Sequence, residues 1–258
     1  MDWVDGTAGR LRVERTGSGP GTPVVLVHGG GGDRSHWHAV VPLLATDRTV
    51  VSFDQRGHGE SDRPKDGNRD LSAMAADVLA VVSGTGLDRP IVVGHSYGGA
   101  VTGEAVARFP DRFSGVALVD PPGDLRKVSE KEIAEWRETV APERFRSSSR
   151  AWFEQILHDA RPETRQHVLA TLGLTPRDTY VDSMESVLAR DPTVVRRFPG
   201  PKLLITVRTL DGAMAMRAAV PELPNVFIED TSHWPHLDQP AEVADILRRF
   251  FLDVDRRR

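Results

Sequence analysis

Residues 94–98 read Gly-His-Ser-Tyr-Gly, a spacing that could make Ser96 a nucleophile for acyl transfer. An apolar run precedes this pentapeptide and a helical pattern follows it, so the serine stands on a turn from a strand into a helix. Glycines on either side let neighbouring backbone pass close to such a turn, and the N-terminus of the next helix favours negative charge on a substrate oxygen. The motif taken alone also fits a glycine-rich turn that serves packing only.

Two other segments carry groups that this chemistry needs. Residues 28–32 read His-Gly-Gly-Gly-Gly after a predicted strand, and such a loop can lay a backbone N–H against a substrate oxygen. It lacks the Gly-Lys-Ser/Thr ending and the Gly-x-Gly-x-x-Gly spacing of phosphate-binding loops. Residues 230–240 carry His233 between the last predicted strand and the last predicted helix. A loop at that point lies at the carboxyl edge of the sheet, the same edge as Ser96.

The elements that must position these segments follow from the alternation of short apolar runs with helical patterns. This alternation predicts an α/β fold with a doubly wound, mostly parallel sheet, and the nearly all-apolar character of the runs is typical of strands buried on both faces. We predict strands at residues 24–27, 49–53, 91–93, 116–119, 203–206 and 226–228, and helices at residues 37–44, 71–82, 97–108 and 241–251. Residues 6–15 are predicted to add an antiparallel edge hairpin.

The alternation stops between residues 120 and 201, where no convincing strand is visible and residues 130–140 and 149–160 have a helical pattern. Tryptophan, phenylalanine, isoleucine and leucine give these segments apolar faces. We therefore predict one core built from residues 1–120 and 201–258, with residues 121–200 inserted as a helical cap.

Composition narrows the classes of function. The chain of 258 residues is 39% hydrophobic and 27% charged, carries a formal net charge of −4, and contains no cysteine. These values predict a globular protein of the cytoplasm, with neither nucleic acid nor membrane as a partner, and exclude disulfides and thiolate chemistry. The histidines do not form a metal-binding motif, so neither a metal nor another cofactor is expected. We expect a small-molecule substrate and a monomer or homodimer.

Four segments of the chain resemble the α/β-hydrolase superfamily, in the order and approximate spacing of that family. They are VLVHGGGG (residues 25–32), FDQRGHGESDRP (53–64), GHSYGG (94–99) and SHWPHLDQP (232–240). The resemblance implies the α/β-hydrolase fold with Ser96 as nucleophile and His233 as general base. It further implies an oxyanion hole formed by the backbone N–H groups of Gly30 and Tyr97, and no cofactor.

The acid that would orient the histidine has two candidates. Most members of the superfamily carry it in a Gly-x-x-Asp turn after the strand before the last, but here Val207 replaces the glycine and Asp211 comes one residue late. Some branches, including many haloalkane dehalogenases and the zearalenone lactonases, carry it after the strand that follows the nucleophile helix, where this chain has Asp120. We predict Asp120; Asp211 is the alternative, and a catalytic dyad or another acid such as Asp230 stays open.

Taken together, these features predict a serine hydrolase that cleaves a small, fairly apolar carboxylic ester or lactone through an acyl-enzyme on Ser96. Trp37 and Trp234 are predicted at the same edge and are candidates for the substrate pocket, although burial against the cap is as consistent with the sequence. A serine at the nucleophile position argues against epoxide hydrolases and haloalkane dehalogenases, which use aspartate there. Carbon–carbon bond hydrolysis, perhydrolysis and a ligand sensor of low turnover stay open.

Overall fold

The computed structural model describes residues 2–65, 67–208, 212 and 214–258, and within them eight strands form one sheet in the order β1-β2-β4-β3-β5-β6-β7-β8. The strands are β1 (Asp2–Asp5), β2 (Arg10–Thr16), β3 (Gly21–Val27), β4 (Arg48–Phe53), β5 (Ile91–His95), β6 (Gly115–Val119), β7 (Lys202–Thr206) and β8 (Asn225–Phe227). All neighbours from β4 to β8 pair in parallel, whereas β2 is antiparallel to both β1 and β4. The predicted mostly parallel sheet is confirmed, and the edge hairpin is present.

Ten α-helices connect and cover these strands in the described part of the chain. They are α1 (Val41–Leu44), α2 (Leu71–Gly84), α3 (Tyr97–Arg108), α4 (Glu130–Thr139), α5 (Phe145–Ile156), α6 (Pro162–Leu174), α7 (Arg177–Leu188), α8 (Met216–Ala219), α9 (Pro235–Asp238) and α10 (Pro240–Asp255). Helices α2 and α3 pack their apolar residues on one face of the sheet. Helix α10 packs on the opposite face together with α1, so the sheet is buried on both sides as its apolar strands require.

Four of these helices, α4 to α7, lie between β6 and β7, the position at which the sequence predicts a cap. They share an apolar cluster of their own, which includes Phe145, Phe153, Tyr180 and, from the core, Trp234. The cap therefore packs on the loop that carries Trp234. The boundaries proposed for cap and core as separate units stay a prediction.

The helix predicted at residues 37–44 is wrong in its extent. A 3₁₀ helix covers Arg34–Trp37, and α1 is a single turn that has Pro42 close to its start. Proline has no N–H to donate and its ring clashes with the carbonyl four residues earlier, so an α-helix that starts at Trp37 cannot continue through Pro42. Residues 38–40 form turns between the two short helices, and the Trp37 side chain is buried in the core.

Candidate active site

Ser96 lies on a sharp turn between β5 and α3, with backbone angles φ 51° and ψ −121° that few residues adopt. The two flanking glycines make this turn sterically possible. A Cβ on Gly94 would lie 2.2 Å from the carbonyl oxygen of Gly98, and a Cβ on Gly98 would lie 2.4 Å from that of His28. Both contacts are far shorter than real Cβ contacts, so the spacing of the motif is explained by backbone packing around Ser96, which is itself only partly buried.

Asp120 and His233 are in direct contact beside this turn. The His233 Nδ1 lies 2.6 Å from Asp120 Oδ2, and both side chains are buried. Asp120 follows β6 directly, its N–H donates to the Ile205 carbonyl at 2.7 Å, and its Oδ1 accepts from the Val207 N–H at 3.3 Å. The carboxylate is thus held by two strands. The Nδ1–H of His233 donates to it, which leaves Nε2 unprotonated and able to accept a proton.

Of the two acids that the sequence offered for this position, the structure brings Asp120 to the histidine. Asp120 adopts a left-handed backbone conformation with φ 42°, which is uncommon outside glycine. The alternative, Asp211, lies outside the described residues. Asp230 is exposed and also has a positive φ, of 51°, but its side chain has no hydrogen bond to His233 within the described part of the chain.

The loop that carries Gly30 lies against the residue that follows Ser96. A Cβ on Gly30 would lie 3.6 Å from the Tyr97 Cβ, so the two backbones are neighbours. The His28 ring fixes the orientation of this loop: its Nε2 accepts from the Gln55 N–H at 3.0 Å, and its Nδ1–H donates to the Gly29 carbonyl at 2.8 Å. Because a trans peptide points its N–H away from its C=O, the Gly30 N–H is directed away from His28.

Ser96 and His233 line one cavity of about 380 Å³ under the cap. The walls come mostly from the cap and its entry loop, with Pro122, Gly123, Leu125, Val128, Trp152, Phe153, Ile156, Tyr180, Met184 and Val187, and from Tyr97, Met214 and Trp234 of the core. Among the described residues that line this cavity, the ionisable ones are His233, Tyr97 and Tyr180. Burial raises the pKa of Tyr97 to about 12, so its hydroxyl is neutral at ordinary pH. The cavity therefore suits a neutral, apolar molecule.

The two tryptophans predicted for the pocket have different positions. Trp234 lines the cavity and stacks near Phe153, with ring centroids 5.6 Å apart. The prediction for Trp37 is wrong, because its side chain is fully buried in the apolar core on the α10 face of the sheet. Its ring lies 4.4 Å from that of His236. Burying a large apolar ring in the core is more favourable than leaving it at the pocket.

Sequence reasoning missed two polar residues that hold the loop of His233. The His95 Nε2–H donates to the His233 carbonyl at 2.7 Å, which connects the end of β5, just before Ser96, to the loop of His233. Asp238 is buried and accepts from the Ser232 N–H at 2.9 Å and from the Arg161 N–H at 3.0 Å, so it joins this loop to the start of α6. The sequence signal for both is their position inside the quoted motifs, although it does not reveal their partners.

Several histidines around the site stay neutral because they are buried. Burial lowers the pKa of His36 and of His58 to about 3. It also lowers the pKa of His95 and of His236 well below the ordinary range, helped by the neighbouring imidazoles. All four rings are fully buried, and that of His95 lies 4.8 Å from the His233 ring, so an added positive charge on any of them would have to be buried.

We expect acid to destabilise the protein through these histidines. In the unfolded chain each takes up a proton near pH 6.5, whereas His36 and His58 resist protonation in the fold down to about pH 3. The unfolded state binds more protons over that interval, so folding stability falls as the pH drops, by about 2 kcal/mol for each of the two at about pH 5. Urea unfolding at about pH 7.5 and about pH 5 measures the difference.

Two variants separate this effect from general acid sensitivity. His58→Asn removes one buried imidazole and should weaken the pH dependence of the unfolding midpoint. His158→Asn replaces a side chain that is 86% exposed and should leave that dependence as it is. Equal midpoints of the unaltered protein at both pH values would contradict the expectation.

Within residues 2–65, 67–208, 212 and 214–258, no group of three or more histidine, aspartate or glutamate side chains is placed to hold a metal ion. None of the helices in these ranges has the length and apolar character needed to cross a bilayer.

Comparison with known proteins gives a consistent result. Residues 24–246 match the model of a family described as the alpha/beta hydrolase family. The chain is 23% identical to 2-hydroxymuconate semialdehyde hydrolase of Pseudomonas sp. strain CF600, over 96% of this chain and 93% of that protein. It is 41% identical over 120 residues to the dihydrolipoyllysine-residue acetyltransferase component of the acetoin cleaving system of Cupriavidus necator; these residues are 46% of this chain and 31% of that protein.

Among solved structures, a thermophilic esterase from Thermogutta terrifontis has the same fold. The two superpose with a TM-score of 0.81 at 25% sequence identity, over 98% of each chain. The likeness extends over the sheet and the inserted helices alike.

Proposed function

Because this chain belongs to the alpha/beta hydrolase family, we propose that it hydrolyses a small, neutral carboxylic ester or lactone through an acyl-enzyme on Ser96. The observation that carries the proposal is the contact between His233 and Asp120 at the wall of an apolar cavity that Ser96 also lines. A serine, a histidine and an aspartate so placed supply a nucleophile, a base and an orienting anion.

In the first step the Ser96 hydroxyl attacks the carbonyl carbon and its proton passes to His233 Nε2. Asp120 stabilises the imidazolium that forms and keeps the ring in the tautomer with Nδ1–H. The carbonyl oxygen becomes an anion and accepts hydrogen bonds from the N–H groups of Gly30 and Tyr97. Tyr97 is the first residue of α3, so the dipole of that helix also favours the negative charge.

The imidazolium of His233 then donates its proton to the leaving alkoxide, and the acyl group stays on Ser96. A water molecule attacks the acyl-enzyme, and His233 accepts a proton from this water, as it accepted the proton of Ser96 in the first step. His233 then returns the proton to the Ser96 oxygen as the acid product leaves, which restores the Ser96 hydroxyl. No metal or organic cofactor takes part in this sequence, because the triad and two backbone N–H groups supply every proton transfer and charge contact.

The cavity supports a neutral substrate. Its described lining offers no arginine or lysine that could pair with a substrate carboxylate. A carboxylate buried there without a partner would lose its hydration and gain nothing comparable. An ester or lactone needs only apolar contact along its length and two hydrogen bonds at its carbonyl oxygen.

Carbon–carbon bond hydrolysis is the second candidate, favoured by one of the relatives. The 2-hydroxymuconate semialdehyde hydrolase of Pseudomonas covers nearly this whole chain, although at 23% identity. The substrate in its name is an acid, and an acid would have to enter a cavity with no cationic side chain among the described residues that line it. We therefore place ester or lactone hydrolysis first.

A matched pair of esters tests this order. We expect p-nitrophenyl hexanoate to be hydrolysed with a kcat/KM at least ~100-fold above that of mono-p-nitrophenyl adipate, which has the same length but ends in a carboxylate. Release of p-nitrophenol measures both, and 2-hydroxymuconate semialdehyde is offered in parallel. A preference for the carboxylate-bearing ester would overturn the neutral substrate, and a preference for 2-hydroxymuconate semialdehyde would overturn ester hydrolysis in favour of carbon–carbon hydrolysis. Release limited to one equivalent per chain would instead indicate a ligand sensor.

A further inference from the structure

A second cavity, of about 410 Å³, opens to the surface of the cap between α4 and α5, and exposed residues such as Glu135, Ala151 and Gln155 line part of it. Its lining includes Trp136 and Val140 but also polar side chains such as Thr139, Ser148 and Gln155. This space is distinct from the catalytic cavity and does not contain Ser96 or His233. The two cavities nevertheless share part of their walls.

Trp152 and Tyr180 are the two described residues that line both cavities. Trp152 stands on α5 and Tyr180 on α7, so the shared wall joins two cap helices. The Tyr180 ring is held from two sides, with centroid distances of 5.6 Å to Phe145 and 6.0 Å to Phe153. Tyr180 is buried, whereas Trp152 is 48% exposed and has no ring partner within the described part of the chain.

We propose that Trp152 and Tyr180 form a partition that sets the maximum length of the substrate. The apolar group of a compact ester fits the catalytic cavity and ends at these two rings. A longer chain would need the space on the other side of them. Trp152 and Tyr180 would then select compact substrates, because the cap cavity already offers space for a longer chain.

This inference rests on the proposed function, because it concerns the substrate of Ser96. The cavity of about 380 Å³ lies at the small end of ligand pockets, which span roughly 300–1,000 Å³. Removing the Trp152 ring would join it to the cap cavity of about 410 Å³ and approximately double the space in reach of Ser96. Since Trp152 is half exposed on a helix and alanine is a good helix former, the substitution is mild for the fold.

The test measures access to Ser96 without relying on turnover. Fluorophosphonates that carry an ethyl or a decyl chain are offered to the full chain, and intact mass spectrometry follows labelling with time. We expect the unaltered protein to react at least ~10-fold faster with the ethyl probe, because excess methylenes are poorly accommodated in a closed pocket. In Trp152→Ala this ratio should shrink to about threefold or less, and Trp152→Leu should give an intermediate ratio.

Three controls locate the effect in the partition. Ile156→Ala enlarges the catalytic cavity one turn further along α5 but opens no passage to the cap cavity. The ratio of the ethyl to the decyl labelling rate should therefore not change. Trp136→Ala alters only the cap cavity, and the ratio should again stay. Tyr180→Phe keeps the ring and should keep the ratio of the ethyl to the decyl labelling rate. An unchanged ratio of ethyl to decyl labelling rates in Trp152→Ala would rule out the partition. So would a decrease in Ile156→Ala as large as that in Trp152→Ala.

Failure of the partition and failure of the proposed function give different results. If the partition is right and ester hydrolysis is wrong, the probe ratio changes in Trp152→Ala while p-nitrophenyl hexanoate is not turned over. If ester hydrolysis is right and the partition is wrong, the ester is turned over and the probe ratio is the same in both proteins.

Discussion

Replacing Ser96 by alanine is expected to lower kcat for a neutral ester by about 10⁶-fold and to abolish labelling by a fluorophosphonate. The hydroxyl is the group that forms the acyl-enzyme, and alanine leaves His233 with no proton to accept. Alanine also lacks the side-chain oxygen without changing the size of the residue much, so the turn between β5 and α3 should persist. Turnover of p-nitrophenyl hexanoate and the mass of the labelled chain measure the two effects.

Ser35 provides the matched control for this experiment. Its hydroxyl lies 3.0 Å from His167 Nε2, so it is a second serine beside a histidine. It lies away from the catalytic cavity and also donates to Asp33, which holds it in a structural contact between the core and the cap. Ser35→Ala should keep both labelling and turnover. Labelling that continues in Ser96→Ala would remove Ser96 as the nucleophile.

Replacing Asp120 by asparagine is expected to lower kcat by about 10⁴-fold with little change in KM. The carboxylate accepts the His233 Nδ1–H at 2.6 Å and so keeps Nε2 free. An asparagine amide can donate to Nδ1 instead, which places the proton of the ring on Nε2 and removes the base. It also takes away the negative charge that stabilises the imidazolium. Initial rates at saturating and at low ester concentration separate kcat from KM.

Asp211→Asn is the counterpart for this substitution, since Asp211 is the other acid that the sequence offers. Asp211→Asn should retain most of the activity. Both variants should unfold at about the same urea concentration as the unaltered protein, which would show that their folds are intact. Full activity in Asp120→Asn together with a large loss in Asp211→Asn would reverse the assignment. Comparable losses in both would mean that neither acts alone.

The sheet could be predicted from the sequence because its strands are apolar on both faces. Residues 24–27 and 116–119 contain no polar residue, and a strand of that kind is stable only between two layers of helices. The nucleophile turn could be predicted because Gly94 and Gly98 mark a close approach that other residues cannot make. Such local steric demands leave a direct trace in the sequence.

The position of Trp37 could not be predicted in the same way. A large aromatic residue near the edge of a sheet can face a pocket or the core, and here the Trp37 ring packs 4.4 Å from that of His236, which is distant in sequence. The hydrogen bond from His95 to the His233 carbonyl joins residues 138 positions apart, so no local pattern reveals it. Contacts of this kind exist only after the strands and loops have been placed next to each other.

The wall of the cavity was predicted only in part. Apolar faces were recognised on the helix of Trp152 and Phe153, but the face of α7 that carries Tyr180 and Met184 was not. Those two residues are four positions apart, which places them on the same side of a helix. The spacing was therefore visible in the sequence, but short segments between residues 160 and 200 gave no reason to prefer that side over the others.

The insertion of four helices between β6 and β7 places the proposed chemistry and the substrate pocket in different parts of the chain. The residues proposed as nucleophile, base, acid and oxyanion donors come from segments outside the insertion, whereas most of the cavity wall comes from within it. Substitutions confined to the cap can therefore change which compounds the cavity accepts, while the proposed catalytic residues stay the same. For the same reason, exchanging the cap between related chains offers a direct route to new selectivities on a common catalytic scaffold.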